Sequence, residues 1–364
     1  SKEINEALDI VIDEADVIPN SADELRDVYA PFDFKEQAPT SGTAMKIRFV
    51  DAISQAIQLA MDKHERLILM GQDIAEYGGV FKITEGLVEK YGKDRVRNTP
   101  LCEAAIVGAA QGLSINGYKS MMEFQFADFV TEGFNQIINN VAKLHWRWGQ
   151  HVDVVLRMPT GAGVAAGPFH SQSNEAWFAH TPGLKIVYPA FPYDAKGLLL
   201  AAFEDPNPIM FFEHKKLYRS VEQEVPVDYY TLPIGKASKV REGLELTIIT
   251  YGLGVHWAME VLDKYPAISA DLIDLRTLVP LDMETILESV EKTHRVLVLH
   301  EDCTFGGIGA ELVALIQEKS FEHLDAPIMR IGSLDTPIPF NAKLEDNFLA
   351  KNRLEKALIE LMEY

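Results

Sequence analysis

The chain has few of the residues that define several classes of protein. It contains only two cysteines, Cys102 and Cys303, among 364 residues. Two thiols support neither a disulfide framework nor a zinc site, so we expect a reducing compartment, the cytoplasm. The longest apolar runs, such as residues 248–253, are far shorter than the roughly 20 residues that span a bilayer. We therefore predict no membrane-embedded segment.

Basic charge is also scarce. The chain has 34 Lys and Arg against 54 Asp and Glu, which gives a net charge of −20. Phosphate backbones require clustered basic side chains, so nucleic acid is not an expected partner. No basic helical face suggests membrane-surface binding, and the acidic residues 1–20 fit no secretory signal.

Length and apolar content favour two α/β domains. Hydrophobic residues make up 47% of the chain, which is ample for buried cores. From residue 46 onwards, apolar strand-like runs alternate with helical patterns, which predicts mostly parallel sheets covered by helices. The first set has strands at 67–71, 119–124, 152–156, 185–189 and 209–212, with helices at 50–62, 84–91, 126–144 and 194–203. The second set has strands at 246–250, 270–274 and 295–300, with helices at 254–264, 282–291, 309–319 and 351–362.

These patterns divide the chain into three parts. We predict an arm at residues 1–45, a first domain at 46–225 and a second domain at 226–364. Within the arm, residues 5–17 show an acidic helical pattern, and residues 29–42 predict an irregular, proline-containing linker.

One carboxylate opens an otherwise apolar helix. The run Asn98-Thr-Pro-Leu-Cys-Glu103 leads into small and apolar residues up to Gly112. A helix that is apolar all round belongs in a core or an interface, so Glu103 is poised to bond a buried ligand group. The alternative is an ordinary first-turn acid that complements the helix dipole. Gly108 and Gly112 share a helix face, which would let another backbone approach closely.

A glycine-rich loop carries a second candidate. The run Gly161-Ala-Gly-Val-Ala-Ala166 matches a dinucleotide fingerprint, but Gly167 and Pro168 interrupt the helix that such a site requires. We therefore interpret it as a loop that delivers His170 for acid–base chemistry or for orienting an anion. The alternative is that His170 is one more ordinary histidine among the ten.

Several long runs resemble the E1 β subunits of the 2-oxo acid dehydrogenase complexes. They are Gly92-Lys-Asp-Arg-Val-Arg-Asn-Thr-Pro-Leu-Cys-Glu103, Glu123-Phe-Gln-Phe-Ala-Asp-Phe129, Phe169-His-Ser-Gln-Ser-Asn-Glu-Ala-Trp-Phe-Ala-His180-Thr-Pro-Gly183, Ile273-Asp-Leu-Arg-Thr-Leu-Val-Pro280 and His300-Glu301. The resemblance covers roughly residues 45–364 and is far more specific than a single short motif. It implies a transketolase-like pyrimidine-binding domain followed by a transketolase C-terminal domain.

The resemblance also implies a role for each site residue. Glu103 would hydrogen-bond N1′ of the aminopyrimidine of thiamine diphosphate and favour its imino tautomer. Gln125 and Phe129 match positions beside the pyrimidine, and Leu101 matches a backbone contact near that ring. His170 would meet the substrate carboxylate or protonate the lipoyl thiolate. The expected reaction is decarboxylation of a 2-oxo acid and transfer of the acyl group to a lipoyl arm.

The sequence lacks the Gly-Asp-Gly run with which thiamine enzymes hold the diphosphate and Mg²⁺. The resemblance accounts for this, since the E1 α subunit supplies that motif. The expected partners are therefore an α part, a second copy of this chain and lipoyl-bearing E2. Asp205 and Asn207 match a loop that binds potassium in some members. Residues 21–29 resemble the end of an E1 α subunit, which suggests an α–β fusion.

The substrate class stays open between two types. Residues 99–103 and 126–128 resemble branched-chain members, whereas Phe129 and Trp177 resemble pyruvate-type members. We favour a branched-chain 2-oxo acid, with pyruvate or acetoin as the alternative. Two other functions remain in view, a transketolase-like C2 transferase and a non-catalytic scaffold subunit.

Overall fold

The structure, a computed structural model, describes residues 1–12 and 14–364. The α-helices are α1 Lys2–Ile12, α2 Ser21–Arg26, α3 Phe49–Lys63, α4 Leu87–Tyr91, α5 Glu103–Ile115, α6 Val130–Asn135, α7 Leu144–Trp148, α8 Glu175–Ala179, α9 Pro192–Glu204, α10 Leu217–Ser220, α11 Leu253–Lys264, α12 Met283–Thr293, α13 Ile308–Ser320, α14 Ala342–Phe348 and α15 Lys351–Met362. The strands are β1 Ala44–Arg48, β2 Leu67–Gly71, β3 Val96–Asn98, β4 Lys119–Glu123, β5 Val154–Thr160, β6 Lys185–Val187, β7 Ile209–His214, β8 Glu222–Pro226, β9 Ser238–Arg241, β10 Leu246–Thr250, β11 Ala270–Asp274, β12 Thr277–Val279, β13 Val296–Cys303 and β14 Met329–Ser333.

Two mostly parallel sheets organise these elements, as the sequence predicts. The first sheet has the strand order β12-β6-β7-β5-β4-β2-β3, and the second has the order β14-β13-β10-β11-β9. In each sheet a single edge strand is antiparallel, β12 against β6 and β9 against β11. Strand β12 comes from the second half of the chain, so it joins the second domain to the first sheet.

Burial on both faces explains why the central strands are mostly apolar. Every residue of β2, β5, β7, β10 and β11 is buried. Helices α3 and α9 pack together over the first sheet, and both are rich in buried apolar side chains. Parallel sheets covered by helices on both sides require such strands. Among the described residues, no helix is long and apolar enough to cross a membrane.

Two predicted helices differ in the structure. The segment predicted as one helix at 126–144 is a series of shorter turns, in which a π-helical turn, Gln136–Asn140, lies between α6 and α7. Asn135 and Asn139 hydrogen-bond each other within this stretch, and asparagine is a weak helix former. The acidic helical pattern at 5–17 corresponds to α1, which begins at Lys2 and ends at Ile12. Residues 14–17 are not helical, and position 13 lies outside the described residues.

The irregular linker after α2 lies against the first domain. The Tyr29 hydroxyl donates to the carbonyl of Leu184 at 2.9 Å. The Ala30 N–H donates to Asn207 Oδ1 at 2.7 Å, and Asn207 Nδ2 donates back to the Ala30 carbonyl. The last two bonds satisfy the backbone N–H and carbonyl groups of Ala30, which lies in a segment without regular secondary structure. By contrast, α1 has no buried residue.

A buried ion cluster joins three neighbouring strands near their carboxyl ends. Arg157 on β5 is fully buried and donates through Nε and Nη2 to Glu213 on β7, at 2.6 and 2.7 Å. Its Nη1 donates to Glu123, the last residue of β4. The Tyr218 hydroxyl also donates to Glu213, at 2.7 Å. Burial raises the pKa of the Glu123 carboxyl, and the Arg157 guanidinium opposes that effect.

We predict that Arg157→Met destabilises the protein strongly. The substitution leaves the Glu123 and Glu213 carboxylates buried without their cation, which typically costs about 3–5 kcal/mol. Urea unfolding at neutral pH should show this loss in the free energy of unfolding. The matched control is Arg219→Met, because Arg219 is exposed. A loss below about 1 kcal/mol for Arg157→Met would contradict the structural role of the cluster.

Candidate active site

The candidate residues meet at one edge of the first sheet. Strands β3, β2, β4 and β5 are neighbours and run parallel, so their carboxyl ends lie side by side. Residues 72–73 follow β2, the segment leading to Glu103 follows β3, and residues 124–129 follow β4. The loop that carries His170 follows β5. Ligands of open parallel sheets bind at this kind of edge.

Glu103 is the first residue of α5 and is buried, with 9% of its surface exposed. Its Oε1 accepts a hydrogen bond of 3.0 Å from Gln72 Nε2, which orients the carboxyl group. The Thr99 N–H donates to the carbonyl of Gly71 at 3.0 Å and so ties the entry of α5 to the end of β2. Within the part of the chain that is described, the buried Thr99 Oγ1 has no hydrogen-bond partner. A buried carboxyl and an unsatisfied hydroxyl thus lie at the mouth of the same helix.

Two other predicted residues lie at the same edge. Gln125 Nε2 donates to Asp73 Oδ2 at 3.3 Å, and Asp73 is next to Gln72 in the chain. Asp73 has a φ of 58°, an uncommon backbone conformation that often marks functional sites. Leu101 is 80% exposed, so only its position before α5, and not its packing, relates it to the site.

Phe129 and His170 are in contact, as part of an aromatic cluster. The His170 ring lies edge-to-face against Phe126 and Phe129, with centroid distances of 4.8 and 5.5 Å. The Lys215 ammonium lies 5.6 Å from the centroid of Phe126 and donates to the carbonyl of Gly161 at 2.7 Å. Burial lowers the pKa of Lys215 to about 8. His170 and Phe129 are both half-buried, so each can reach a ligand.

The glycine-rich run forms a loop, and no helix follows it until Glu175. This supports the interpretation of the run as a loop that carries His170. It disfavours a dinucleotide fingerprint, which needs a helix directly after the glycines. Gly161 has a φ of 89°, and a Cβ atom there would lie 2.1 Å from His214 Nε2. Asp128 holds the far side of the loop, since its Oδ1 accepts from the N–H groups of Ser171 and Gln172, each at 3.1 Å.

Carboxylates of both domains lie next to this loop. Glu301 of β13 accepts from His214 Nε2 at 2.7 Å. Burial acts to raise the pKa of Glu301, but His214 and neighbouring donors outweigh it and lower the pKa. Glu175 is fully buried and accepts from the Tyr251 hydroxyl of the second domain at 2.7 Å. Burial, and then the nearby Asp302 carboxylate, raise the pKa of Glu175.

Sequence reasoning missed three of these residues. Gln72 donates a hydrogen bond to Glu103, Asp128 accepts from the His170 loop, and Glu301 accepts from His214. In each case the partner is far away in the chain. Asp128 and Glu301 stand inside the runs that carry the family resemblance, which is the signal that could have singled them out. Gln72 has no signal beyond its position directly after a buried strand.

The predicted potassium ligands are engaged by other groups. Lys185 Nζ donates to Asp205 Oδ2, and Asp205 Oδ1 accepts from Asn207. Asn207 Oδ1 accepts from Ala30. The potassium site therefore stays a prediction, and an ion there would need other oxygen atoms or the displacement of Lys185. Among the described residues, no group of three or more His, Cys, Asp or Glu side chains could hold a metal ion.

Comparison with known proteins places the chain in a class and then in a family. Residues 45–221 match the transketolase pyrimidine-binding domain, and residues 235–353 match the transketolase C-terminal domain. A split-gene transketolase, described as an inactive β4 tetramer, superposes with a TM-score of 0.71 at 23% identity, covering 87% of this chain and 98% of that one. This similarity shows the transketolase-like fold.

The sequence relatives narrow the class. The chain is 45% identical to the 2-oxoisovalerate dehydrogenase subunit beta of Bacillus subtilis (strain 168) over 324 residues, covering 87% of this chain and 98% of that protein. It is 43% identical to the pyruvate dehydrogenase E1 component subunit beta of the same organism, covering 81% of this chain and 92% of that protein. The chain belongs to the family of 2-oxo acid dehydrogenase E1 β subunits, which are subunits of oxidoreductases.

We predict that Glu175→Gln reduces the dependence of stability on pH. Because the pKa of Glu175 is raised in the folded state, the folded protein holds a proton that the unfolded chain releases above about pH 4.5. The contribution of Glu175 to stability therefore falls as the pH rises from that value towards the raised folded pKa, by at most about 1.4 kcal/mol per pH unit for one proton. Glutamine imitates the neutral carboxyl group, so urea unfolding of the variant should lose less stability over this range.

The control for this experiment is Glu360→Gln, because Glu360 is exposed on α15. It should keep the pH dependence of the unmodified protein. If Glu175→Gln also kept that dependence, the assignment of a proton to Glu175 in the folded state would be wrong.

Proposed function

We propose that this chain is the β half of a thiamine-diphosphate-dependent 2-oxo acid dehydrogenase E1. Together with an α part it decarboxylates a branched-chain 2-oxo acid and transfers the acyl group to the lipoyl group of E2. The observation that carries the proposal is the buried Glu103 carboxyl group, oriented by Gln72 at the start of an apolar helix. We expect this activity in the cytoplasm, in keeping with the two unpaired cysteines.

The residues of the edge fit the aminopyrimidine half of the cofactor. Glu103 offers a carboxyl oxygen to a ring nitrogen, and the buried Thr99 hydroxyl lacks a partner within the described chain. Phe129 offers a half-buried ring face for stacking. Gln125 and the backbone at Leu101 lie beside these groups along the same edge. The fit rests on a carboxyl group, an aromatic face and polar edge groups, which is the set that a planar heteroaromatic ring requires.

Glu103 would hold and share a proton with the aminopyrimidine ring. Thiamine diphosphate, when bound, supplies the nucleophilic carbon and the electron sink for decarboxylation. A carboxyl group that shares a proton works best where water is excluded, and the Glu103 side chain is itself buried at the start of α5. Gln72 contributes by fixing the plane of the carboxyl group, so that its free oxygen points in one direction.

His170 would act at the substrate end. Its imidazole lies on a loop rather than in a core, and it packs edge-to-face against Phe126 and Phe129. An imidazole in that place can orient the carboxylate of a 2-oxo acid or donate a proton to a leaving thiolate. The two tasks are compatible because they occur in successive half-reactions.

The site is half of a complete centre under this proposal. The chain lacks the Gly-Asp-Gly run for the diphosphate and Mg²⁺, so those groups fall to the α part. The resemblance of residues 21–29 to the end of an α subunit keeps a fused α–β polypeptide as part of the proposal. The intact protein, detected in cell extract with an antibody against this chain, should then be much heavier than 40.7 kDa.

Branched-chain 2-oxo acids are the first substrate candidate and pyruvate is the second. Relatives of both kinds are nearly equally similar, at 45% and 43% identity. Residues 99–103 and 126–128 favour the branched-chain type. Phe129 and Trp177 favour the pyruvate type, and Trp177 is 44% exposed on α8, the helix that follows the His170 loop.

We predict that Glu103→Ala abolishes turnover while the complex still assembles. The chain is combined with its α part, thiamine diphosphate and Mg²⁺, and the exchange of the C2 proton and the acylation of a lipoyl domain are measured with 2-oxoisovalerate. Both rates should fall, by on the order of 10²–10⁴-fold, because Glu103 assists a proton transfer that precedes every later step.

The matched control is Glu311→Ala, which removes an exposed first-turn acid from α13 and should leave both rates unchanged. If Glu103→Ala showed full exchange of the C2 proton and full acylation, Glu103 would be only a first-turn acid of α5. A scaffold role for the chain would then be favoured. Faster acylation with pyruvate than with 2-oxoisovalerate would transfer the assignment to the second substrate candidate.

We also propose that a second copy of the chain packs on the open face of α5. Ala104, Ala105 and Ala109 are exposed, and a Cβ atom added at Gly108 would meet no atom within 4 Å. We predict that Gly108→Leu folds normally but fails to self-associate, since the new side chain fills only the space where the second backbone should approach. Light scattering gives the mass of the assembly, and circular dichroism verifies the fold.

The control is Gln58→Leu, which adds the same side chain at an exposed position of α3. It should leave the mass unchanged. An equal mass for Gly108→Leu and the unmodified protein would remove α5 from the interface.

A further inference from the structure

The second domain holds the His170 loop through a buried carboxylate. Glu345 lies on α14 and is 3% exposed. Its Oε1 accepts from the N–H of Gly163 at 3.0 Å, and its Oε2 accepts from the N–H of Ala165 at 2.8 Å. Ala165 has a φ of 55°, which is unfavourable for a residue with a side chain. Both oxygens of one carboxylate thus act on a strained part of the loop.

A second carboxylate of the same domain holds the loop at its two ends. Glu301 Oε1 accepts from the N–H of Ala162 at 2.6 Å and from the Ser173 hydroxyl at 3.3 Å. Its other oxygen accepts from His214. Hydrogen bonds to a charged acceptor are about twice as strong as neutral ones, so these contacts can fix a backbone that has no regular structure.

Charge and packing support the same arrangement. Lys215 lies close enough to Glu301 and Glu345 to interact with both electrostatically, and it donates to the carbonyl of Gly161. Phe340 of the second domain packs so tightly on Gly167 that a Cβ atom there would lie 2.3 Å from its ring. The His170 N–H donates to the Gly167 carbonyl, so this contact lies three residues from the imidazole. The second domain therefore touches the loop at residues 162, 163, 165, 167 and 173.

We propose that Glu345 and Glu301 are positioning residues, through which the second domain sets the place of the His170 imidazole. The effect on the reaction rests on the proposed function, whereas the effect on the loop does not. Neither carboxylate touches the reacting atoms under this proposal. A shift of the loop by about 1 Å can still cost on the order of 10²-fold in rate, because the imidazole must meet its partner at hydrogen-bond distance.

The test compares Glu345→Ala and Glu345→Gln with the unmodified chain in the complex with its α part. Hydrogen–deuterium exchange in peptides covering residues 161–170 should be faster in both variants, and more so in the alanine variant, which loses both acceptors. Acylation of the lipoyl domain should fall on the order of 10²-fold in the alanine variant, towards the rate of His170→Ala. Exchange of the C2 proton, which depends on Glu103, should stay unchanged.

The matched control is Asp346→Ala, since Asp346 is the next residue of α14, carries the same charge and is exposed. Unchanged deuterium uptake at 161–170 in both Glu345 variants would overturn the proposal. Faster uptake with normal acylation would also overturn it, because the loop would then be held without any effect on His170. If the alanine variant does not fold, the glutamine variant decides, as it keeps the volume and one acceptor.

The two proposals can fail separately. If Glu103→Ala left the exchange of the C2 proton unchanged, the proposed function would fail. The deuterium uptake would still report whether Glu345 holds the loop. A loss of C2 exchange in the Glu345 variants, equal to their loss of acylation, would mean a general collapse of the site and would contradict a specific role at His170.

Discussion

The Arg157 guanidinium, shut away from solvent between Glu123 and Glu213, links β4, β5 and β7 near their carboxyl ends. Every candidate group on this side of the site is attached to one of those ends. The residues after β4 include Gln125 and Phe129, the loop after β5 carries His170, and β7 leads to Lys215. A buried ion cluster rarely adds net stability over an apolar core, but its geometry is strict because each lone pair and proton needs a partner. The cluster therefore sets the register of the strands from which the site extends.

A second constraint operates across the domains. The loop after β5 has no regular structure, and its backbone N–H groups would be unsatisfied if Glu301 and Glu345 did not accept from them. The same region holds Glu175, a buried acid bonded to Tyr251 of the second domain. The first domain thus supplies the candidate residues and one acceptor for their loop, Asp128, while the second domain supplies the acceptors Glu301 and Glu345.

The sequence predicted those parts that depend on local patterns. Strands Leu67–Gly71, Leu246–Thr250 and Ala270–Asp274 have the predicted bounds, because a buried parallel strand is a short, mostly apolar run in the sequence. The roles expected of Glu103, Gln125, Phe129 and His170 came from family resemblance, and periodicity alone left each of them open. Short edge strands such as β12, and the partners Gln72 and Glu345, were not predicted. Their positions depend on contacts between residues far apart in the chain, which no local pattern records.

The central claim is that the edge formed by β2, β3, β4 and β5 holds the aminopyrimidine ring of thiamine diphosphate. The most direct measurement is an experimental structure of this chain with its α part, thiamine diphosphate and Mg²⁺. The account predicts a Glu103 carboxyl oxygen within about 2.6–3.2 Å of the N1′ atom, with Phe129 against the face of the ring. An aminopyrimidine bound away from Glu103, with the carboxyl group still facing only Gln72, would contradict it.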